Sequence, residues 1–558
     1  MGEIATPANY ETCARERARC TDLILESKED KKLIIAGPGT GKSFLFQQIC
    51  KQYSRDTDAR ILVLSFINEL VDDLSRDLYG LAEVRTLHSF ALRNLPGDRK
   101  VFLGLGDVIE RDYLLATGNK VDFSSIFCNL LEADDDLKFY SARRRYYNFF
   151  SPHCSVYTLI KTFEHDGSRI PAYSLVLVDE YQDFNRLESR LLALLAGQSP
   201  MLLVGDDDQS LYDFKFAEPN EIRSKYSSGE FSTFELPYCS RCTRVVVDAY
   251  ANLIEMAQSK GFLQERAHKP YLYFPSADKD GLSEEYPRIV VKREMYENVI
   301  AYNIDKEIQT LFDPRASQLP SVLVICPLRR QVDATAKGLR KRGFKNVEAT
   351  QRQAYDNVME GFRLMLEDAS CDLAWRLLFE AECQRQGANE RLAEVVSESV
   401  RAEGSFKDLL TVAERRDIKK TSATLRKIKN HTEVDEAAMA TALAVLGRDP
   451  AKIAQSKIRE ELTESTTPKN IYKHAPIKIV TLLGAKGLTR DYTFLVNFDD
   501  GYLLERGDDQ TLQVTDGNIC RFLVALTRAT RRVTIYTSKK EYPTFLQWFA
   551  NDLLEDTT

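Results

Sequence analysis

Residues 33–43 read Leu-Ile-Ile-Ala-Gly-Pro-Gly-Thr-Gly-Lys-Ser. An apolar run that breaks into glycines is a buried strand running into a phosphate-binding loop. The glycines let the backbone wrap closely, so that its N–H groups face phosphate oxygens. Lys42 has the reach for the β- and γ-phosphates, and Ser43 is suited to Mg²⁺. The helix expected next adds the positive end of its dipole. The strict pattern starts with glycine, whereas this one starts with Ala36. Gly37, Pro38, Gly39, Thr40, Gly41, Lys42 and Ser43 are the expected cradle for a nucleoside triphosphate.

The bulk numbers set the frame around that loop. At 558 residues the chain is too long for one core, so three or four compact units are expected. With 44% hydrophobic and 28% charged residues it is globular rather than disordered. The net charge of −7 does not advertise nucleic-acid binding, yet a basic channel can sit inside an acidic protein. No apolar run approaches about 18 residues, so no membrane partner is expected. The first residues lack a basic stretch followed by an apolar one, and the expected location is cytoplasmic. Eleven cysteines without framework spacing fit a reducing compartment. Cys239 and Cys242 form a lone CxxC and are taken as incidental thiols. The histidines at 153, 165, 431 and 474 show no ligand spacing.

Further strands follow the same logic. Arg60–Phe66, Leu175–Val178 and Met201–Val204 are apolar runs ending in polar residues, as at the carboxyl edge of a parallel sheet, where ligands bind. A second set comprises Arg288–Val291, Ser321–Cys326, Ile477–Val480, Thr493–Val496 and Arg532–Tyr536. The expected organisation is α/β: two similar cores with parallel sheets, each interrupted once by a mostly helical insertion. The first core takes residues 1–90 and 171–284, with its insertion at 91–170. The second takes 285–354 and 473–558, with its insertion at 355–472.

Two acidic blocks follow strands of the first core. Asp179-Glu180-Tyr-Gln-Asp183 places a carboxylate pair opposite the loop lysine: Asp179 for the Mg²⁺ shell, Glu180 to orient and deprotonate a water. Gly205-Asp-Asp-Asp-Gln-Ser-Leu-Tyr-Asp-Phe214 brings Gln209, able to sense a γ-phosphate, close to Tyr212 and Phe214, aromatics suited to a base.

In this order the motifs resemble the superfamily 1A helicases, the UvrD/Rep/PcrA family, from residue 36 to residue 529. The resemblance implies two RecA-like P-loop domains with ATP and Mg²⁺ bound between them and movement 3′ to 5′ along single-stranded DNA. It implies, residue by residue, that Phe66 stacks on a base and that Asn68, Thr86 and His88 lie along the DNA. It places Phe214 where the family has a stacking tryptophan and Lys215 where it has an arginine. Arg241 becomes a γ-phosphate ligand, Gly487 part of the fifth motif, and Arg528 the arginine finger. Single-stranded DNA or a junction is the implied partner. A nuclease subunit is the alternative partner, because compact relatives act beside nucleases in bacterial antiviral systems. In that reading the chain is a nucleotide-gated DNA sensor with little unwinding.

The chain also departs from the pattern. No glutamine precedes Gln47, and Ser240 stands where the family stacks a tyrosine on adenine. Acceptance of several triphosphates is therefore the expectation. Leu483, Thr489 and Leu523 replace a histidine, a glutamate and a tyrosine of the fifth and sixth motifs. Two stretches remain open between readings. Arg143–Phe150 suits a nucleic-acid surface, and equally a helix with charges outside and aromatics inside. The basic run from Arg415 to Lys429 suits duplex DNA, a partner protein or a solvated helical face.

Overall fold

The computed structural model describes residues 7–55, 58–65, 68–97, 100–211, 219–311, 319–349, 357–401, 404–429, 471–507 and 509–557. The chain divides into two compact units. One holds residues 1–93, 159–351 and 469–558; the other holds 94–158 and 352–468.

The first unit contains two sheets whose strands all run parallel. In the first, β1 (Lys31–Ala36), β2 (Ile61–Ser65), β3 (Glu83–Thr86), β4 (Leu175–Val178), β5 (Met201–Gly205) and β6 (Ser232–Leu236) lie in the order 3-2-4-5-1-6. The central strands are apolar at nearly every position and buried, as a sheet covered on both faces requires. β1 lies between β5 and β6, with Ile34 level with Val204 and Phe234. The short parallel pair β7 (Tyr238–Cys239) and β8 (Leu272–Tyr273) follows.

The second sheet uses β9 (Ile289–Lys292), β10 (Val322–Cys326), β11 (Val347–Ala349), β12 (Ile477–Thr481), β13 (Arg490–Leu495), β16 (Ala529–Tyr536) and β17 (Leu554–Asp556). Their order is 11-12-10-13-16-9-17. A small hairpin, β14 (Glu505–Arg506) and β15 (Leu512–Gln513), stands apart from it. Successive residues of β10 face opposite sides: Leu323 and Ile325 enter one apolar core, Val322 and Val324 the other. Both sheets are RecA-like in being parallel, helix-covered and fed by a strand–loop–helix.

The second unit is helical. Helices Leu105–Thr117, Phe123–Cys128 and Asp134–Tyr147 come from the first inserted segment; Asn357–Glu367, Asp372–Gln386, Asn389–Arg401 and Val412–Lys429 come from the second. The two insertions, read from sequence as separate subdomains, form this one unit together. Their join is a buried charge cluster. Asp112 accepts hydrogen bonds from Arg143 Nη2 (2.7 Å), Tyr147 Oη (2.5 Å) and Arg376 Nε (2.8 Å). Arg143 is thus turned inward, while Arg145 is exposed and Phe149 and Phe150 are buried, so Arg143–Phe150 has its aromatics inside. Trp375 is buried and donates to the Ala369 carbonyl. Among the described residues no helix is long and apolar enough to cross a membrane.

Candidate active site

β1 ends at Ala36, and helix α2 (Lys42–Tyr53) starts after five intervening residues. Two glycines make the turn possible. Gly39 (φ +73°) and Gly41 (φ +99°) hold left-handed backbone, and a Cβ on Gly39 would collide with Arg241 Cβ. Thr40 braces the loop by donating to the Gly37 carbonyl at 2.9 Å. From the other side, Ser240 N–H donates to the Gly39 carbonyl at 3.0 Å, and Tyr271 Oη to that of Pro38 at 2.8 Å. Free N–H groups at the start of α2 and its dipole make the loop an anion site.

That loop opens onto a cavity of about 490 Å³. Its wall comprises Pro38 to Ser43, Asp179, Glu180, Gln209 and Arg241 together with Gly487 and Arg528 from the second-sheet half. All the expected catalytic, cofactor and metal residues except Gly37 line it; Gly37 lies at the base of the same loop.

The acidic end follows β4. Glu180 has φ 53° and ψ 44°, a left-handed geometry rare for a non-glycine residue and a mark of local strain. Its carboxylate lies 3.3 Å from Lys42 Nζ and 3.7 Å from Lys486 Nζ, and accepts from Gln182 Nε2 at 2.6 Å. Burial alone would raise its pKa, but Lys42, Lys486 and Gln182 outweigh burial and hold it at about 2. The opposite holds for Asp179. Burial and the adjacent Glu180 push its carboxyl up to about 7. Asp179 Oδ1 is buried and makes no hydrogen bond. An orphaned, raised carboxylate beside Ser43 fits a divalent cation.

The phosphate-sensing end is cationic. Arg528, 2% exposed, donates through Nη2 to Gln209 Oε1 at 3.2 Å and through Nε to the Val524 carbonyl at 2.8 Å. Burial, then Arg241 nearby, pulls its pKa down to about 10. Gln209 in turn donates to Asp206 at 2.7 Å. The glutamine of the first half and the arginine of the second are therefore already in contact.

Several residues that hold this arrangement escaped sequence reasoning. Lys486, within the Ala-Lys-Gly-Leu of the fifth motif, is buried and pairs with Asp183 at 2.6 Å. It also donates to the Gln209 carbonyl at 2.8 Å, tying the two halves at the cleft. Gln182 links Glu180 to the next strand by accepting from Asp206 N–H at 3.0 Å. Lys269 neutralises Asp206, Asp207 and Asp208 at 2.5, 2.8 and 2.9 Å, and Arg266 adds a 2.7 Å pair with Asp208. Three consecutive buried aspartates signal that some cation must reach them; nothing in the sequence says which.

The expected nucleic-acid residues are less well placed. Phe66, Tyr212, Phe214 and Lys215 lie outside the described residues. Asn68 opens the helix Asn68–Asp77. Thr86 accepts from Ser89 N–H at 3.2 Å and so caps the helix Leu87–Asn94. His88 Nε2 stands 3.9 Å from buried Glu188. Both side chains are half-buried in the fold outside the phosphate cleft.

Comparison with known proteins agrees with this geometry. An AAA domain family model matches residues 22–215. An ATP-dependent helicase/nuclease subunit of Natranaerobius thermophilus is 32% identical over 130 residues, 22% of this chain and 10% of that protein. Its namesake in Lactiplantibacillus plantarum is 36% identical over 117 residues, 19% of this chain and 9% of the relative. That of Pelotomaculum thermopropionicum is 46% identical over 57 residues, 10% and 4% of the two chains. These matches span a tenth or less of the relatives' length. With a P-loop, an acidic pair and an arginine from the second sheet around one cleft, the chain is similar in its site to these helicase/nuclease subunits, over the short stretches that match.

Proposed function

We propose that the chain hydrolyses ATP in the cleft between its two sheets and uses the cycle to move 3′ to 5′ along single-stranded DNA. One observation carries the reading. Lys42, Glu180 and Gln209 of the first sheet's half share a single cavity with Gly487 and Arg528 of the second. A finger on one wall and the cradle on the other couple hydrolysis to the approach of the halves.

Each residue has a defined task. The loop N–H groups and Lys42 bind the triphosphate. In this structure Lys42 is paired with Glu180 at 3.3 Å, and its Nζ also lies 3.4 Å from the Ala36 carbonyl. Entry of a triphosphate gives Lys42 a stronger anionic partner. Glu180 then loses a cation and gains basicity, which suits it to take a proton from the attacking water. Gln182 keeps the carboxylate aimed. Arg528 and Arg241 stabilise charge on the transferring phosphoryl group, and Gln209 reports its presence to the strand end that precedes Tyr212. Ser43 and Asp179 are the residues suited to Mg²⁺, which when bound supplies positive charge against the phosphate oxygens.

The decisive assay is ATP hydrolysis by the full chain with and without single-stranded DNA, followed by strand displacement on 3′- and 5′-tailed duplexes. Stimulation by single strands and displacement from the 3′ tail are expected. Hydrolysis indifferent to DNA removes the motor.

A second reading is favoured by the matched relatives' names, which are those of helicase/nuclease subunits. In it the same cycle gates a nuclease partner, with little unwinding. Strong DNA-stimulated hydrolysis without displacement, plus co-purification of a nuclease, selects it.

A further inference from the structure

Strand β7 ends at Cys239, and Ser240, Arg241 and Cys242 form a bend before the helix Arg244–Ser259. From sequence the two cysteines are incidental thiols; in the structure they sit at the seam of the phosphate cleft. Cys239 Sγ stands 3.1 Å from where a Cβ on Gly39 would lie, against the phosphate loop. Cys242 Sγ stands 3.7 Å from the carbonyl oxygen of Thr527, the residue before Arg528. Between the two, Ser240 donates to the Gly39 carbonyl, and Arg241 lines the cavity. Both cysteines are buried, and their thiols hydrogen-bond each other.

The surroundings suit a thiolate. Arg17 from helix α1 (Pro7–Glu26), Arg241, Lys279 and Arg528 bring positive charge to the pair from different parts of the chain. The hydrogen bond from Cys242, helped by the N–H groups of Cys242 and Arg241, outweighs burial and lowers the pKa of Cys239. The same hydrogen bond, with burial, raises that of Cys242. One sulfur is thus a nucleophile and its neighbour a proton donor, as a dithiol needs to become a disulfide. Cys13, Cys20 and Cys371 are pushed the other way, chiefly by burial.

We propose that Cys239 and Cys242 are a redox modification site, at which a hydroperoxide entering by the cleft forms a disulfide that displaces Arg241 and stops hydrolysis. The effect on turnover rests on the ATP-hydrolysis reading above; formation of the bond does not. First, the Cys239 sulfur attacks one peroxide oxygen. The O–O bond breaks, the departing hydroxide takes the thiol proton and leaves as water, and Cys239 becomes a sulfenic acid. Next, the Cys242 sulfur attacks that sulfur, its proton joins the sulfenic hydroxyl, and a second water leaves. Two electrons pass from the thiols to the peroxide. A reducing dithiol reverses the bond by exchange. Bonding draws the sulfurs inside hydrogen-bond distance, and Ser240 and Arg241, held between them, must move.

The test exposes the reduced full chain to hydrogen peroxide and reads ATP hydrolysis together with a non-reducing protease map. The map should show Cys239 joined to Cys242, while hydrolysis falls by at least about tenfold and returns with dithiothreitol. Cys239→Ser and Cys242→Ser should each keep hydrolysis within about threefold of wild type and resist the peroxide. Should a serine variant fail to fold, the wild-type map and the recovery with dithiothreitol still decide. Oxidation at the half-exposed Cys13, Cys20 or Cys371 with 239 and 242 left unjoined overturns the site. A joined pair with hydrolysis unchanged overturns its hold on the cleft, as does an equal peroxide loss in both serine variants. A reduced wild type that hydrolyses no ATP overturns the motor reading and the effect on turnover with it, and the map alone then judges the bond.

Discussion

Two buried charge clusters, one in each unit, are built from the same parts and end in opposite states. In the helical unit, Asp112 is fully buried and its carboxylate takes hydrogen bonds from Arg143, Tyr147 and Arg376. Arg143 passes a further bond to the Ser399 carbonyl, and Arg376 one to Glu380. In the two-sheet unit, Asp179 keeps a buried oxygen without a partner, Glu180 is strained, and Arg528 and Arg241 crowd each other. In the first cluster the carboxylate is saturated, with only Arg376 Nη2 left without a hydrogen bond, and no cavity opens on it among the described residues, so it serves to join segments. An unsaturated one, opening on a cavity, is held in readiness for a ligand that brings both a cation and an anion.

Substitutions can break that contrast at graded cost. Arg528→Ala should reduce ATP turnover by about 10³–10⁵-fold, read in steady-state hydrolysis, with the melting temperature nearly unchanged. A small loss would move the finger elsewhere. Glu180→Gln should lower turnover by about 10²–10⁴-fold while ATP still binds. Asp112→Asn should do the reverse. It leaves two buried arginines short of their anion and costs about 3–5 kcal/mol of stability in denaturant unfolding, with nucleotide affinity retained. If it abolished nucleotide binding as well, the division into joining and working clusters would be wrong. Gly39→Ala should be milder: left-handed backbone on alanine costs about 1–2 kcal/mol, and displacement of Arg241 should weaken ATP binding about tenfold.

The smallest effect is one of pH. Burial works to raise the Asp112 carboxyl, but Arg376 and Arg143 outweigh it and leave its pKa below the ordinary 3.8. A folded-state value below the unfolded one means that its contribution is present above about 3.8 and lost as pH falls through the depressed value. Wild type should therefore lose stability faster than Asp112→Asn below pH about 4, narrowing the gap between them.

What could be read from sequence follows from distance along the chain. The loop at 36–43, the pair Asp179-Glu180 and the strand runs each carry their signal within a few residues. The structure places them as expected, with β4 over the same four residues and β5 one residue longer. Arg528 and Gly487 came through likeness to relatives, because no local pattern says that they meet Lys42. Lys486 with Asp183, Lys269 with three aspartates, and Asp112 with Arg376 are pairings made in space; the last spans 264 residues. Periodicity marks an inward face but cannot name the partner across it. Thr86, matched by likeness to a DNA contact, also caps a helix, a local task that its neighbour Ser89 completes.

The helical unit is assembled from residues 94–158 and 352–468, two stretches with a long excursion between them. A ribosome delivers the first of these well before the second. Until Arg376 emerges, Asp112 has Arg143 and Tyr147 from its own stretch but lacks its second guanidinium, and its neighbours have half a core. The helices of the first stretch must wait while β4 to β6 of the first sheet and β9 to β11 of the second are made. Truncation within 352–468 should therefore strip the first stretch's helices of their partner face and yield aggregation rather than a smaller working machine.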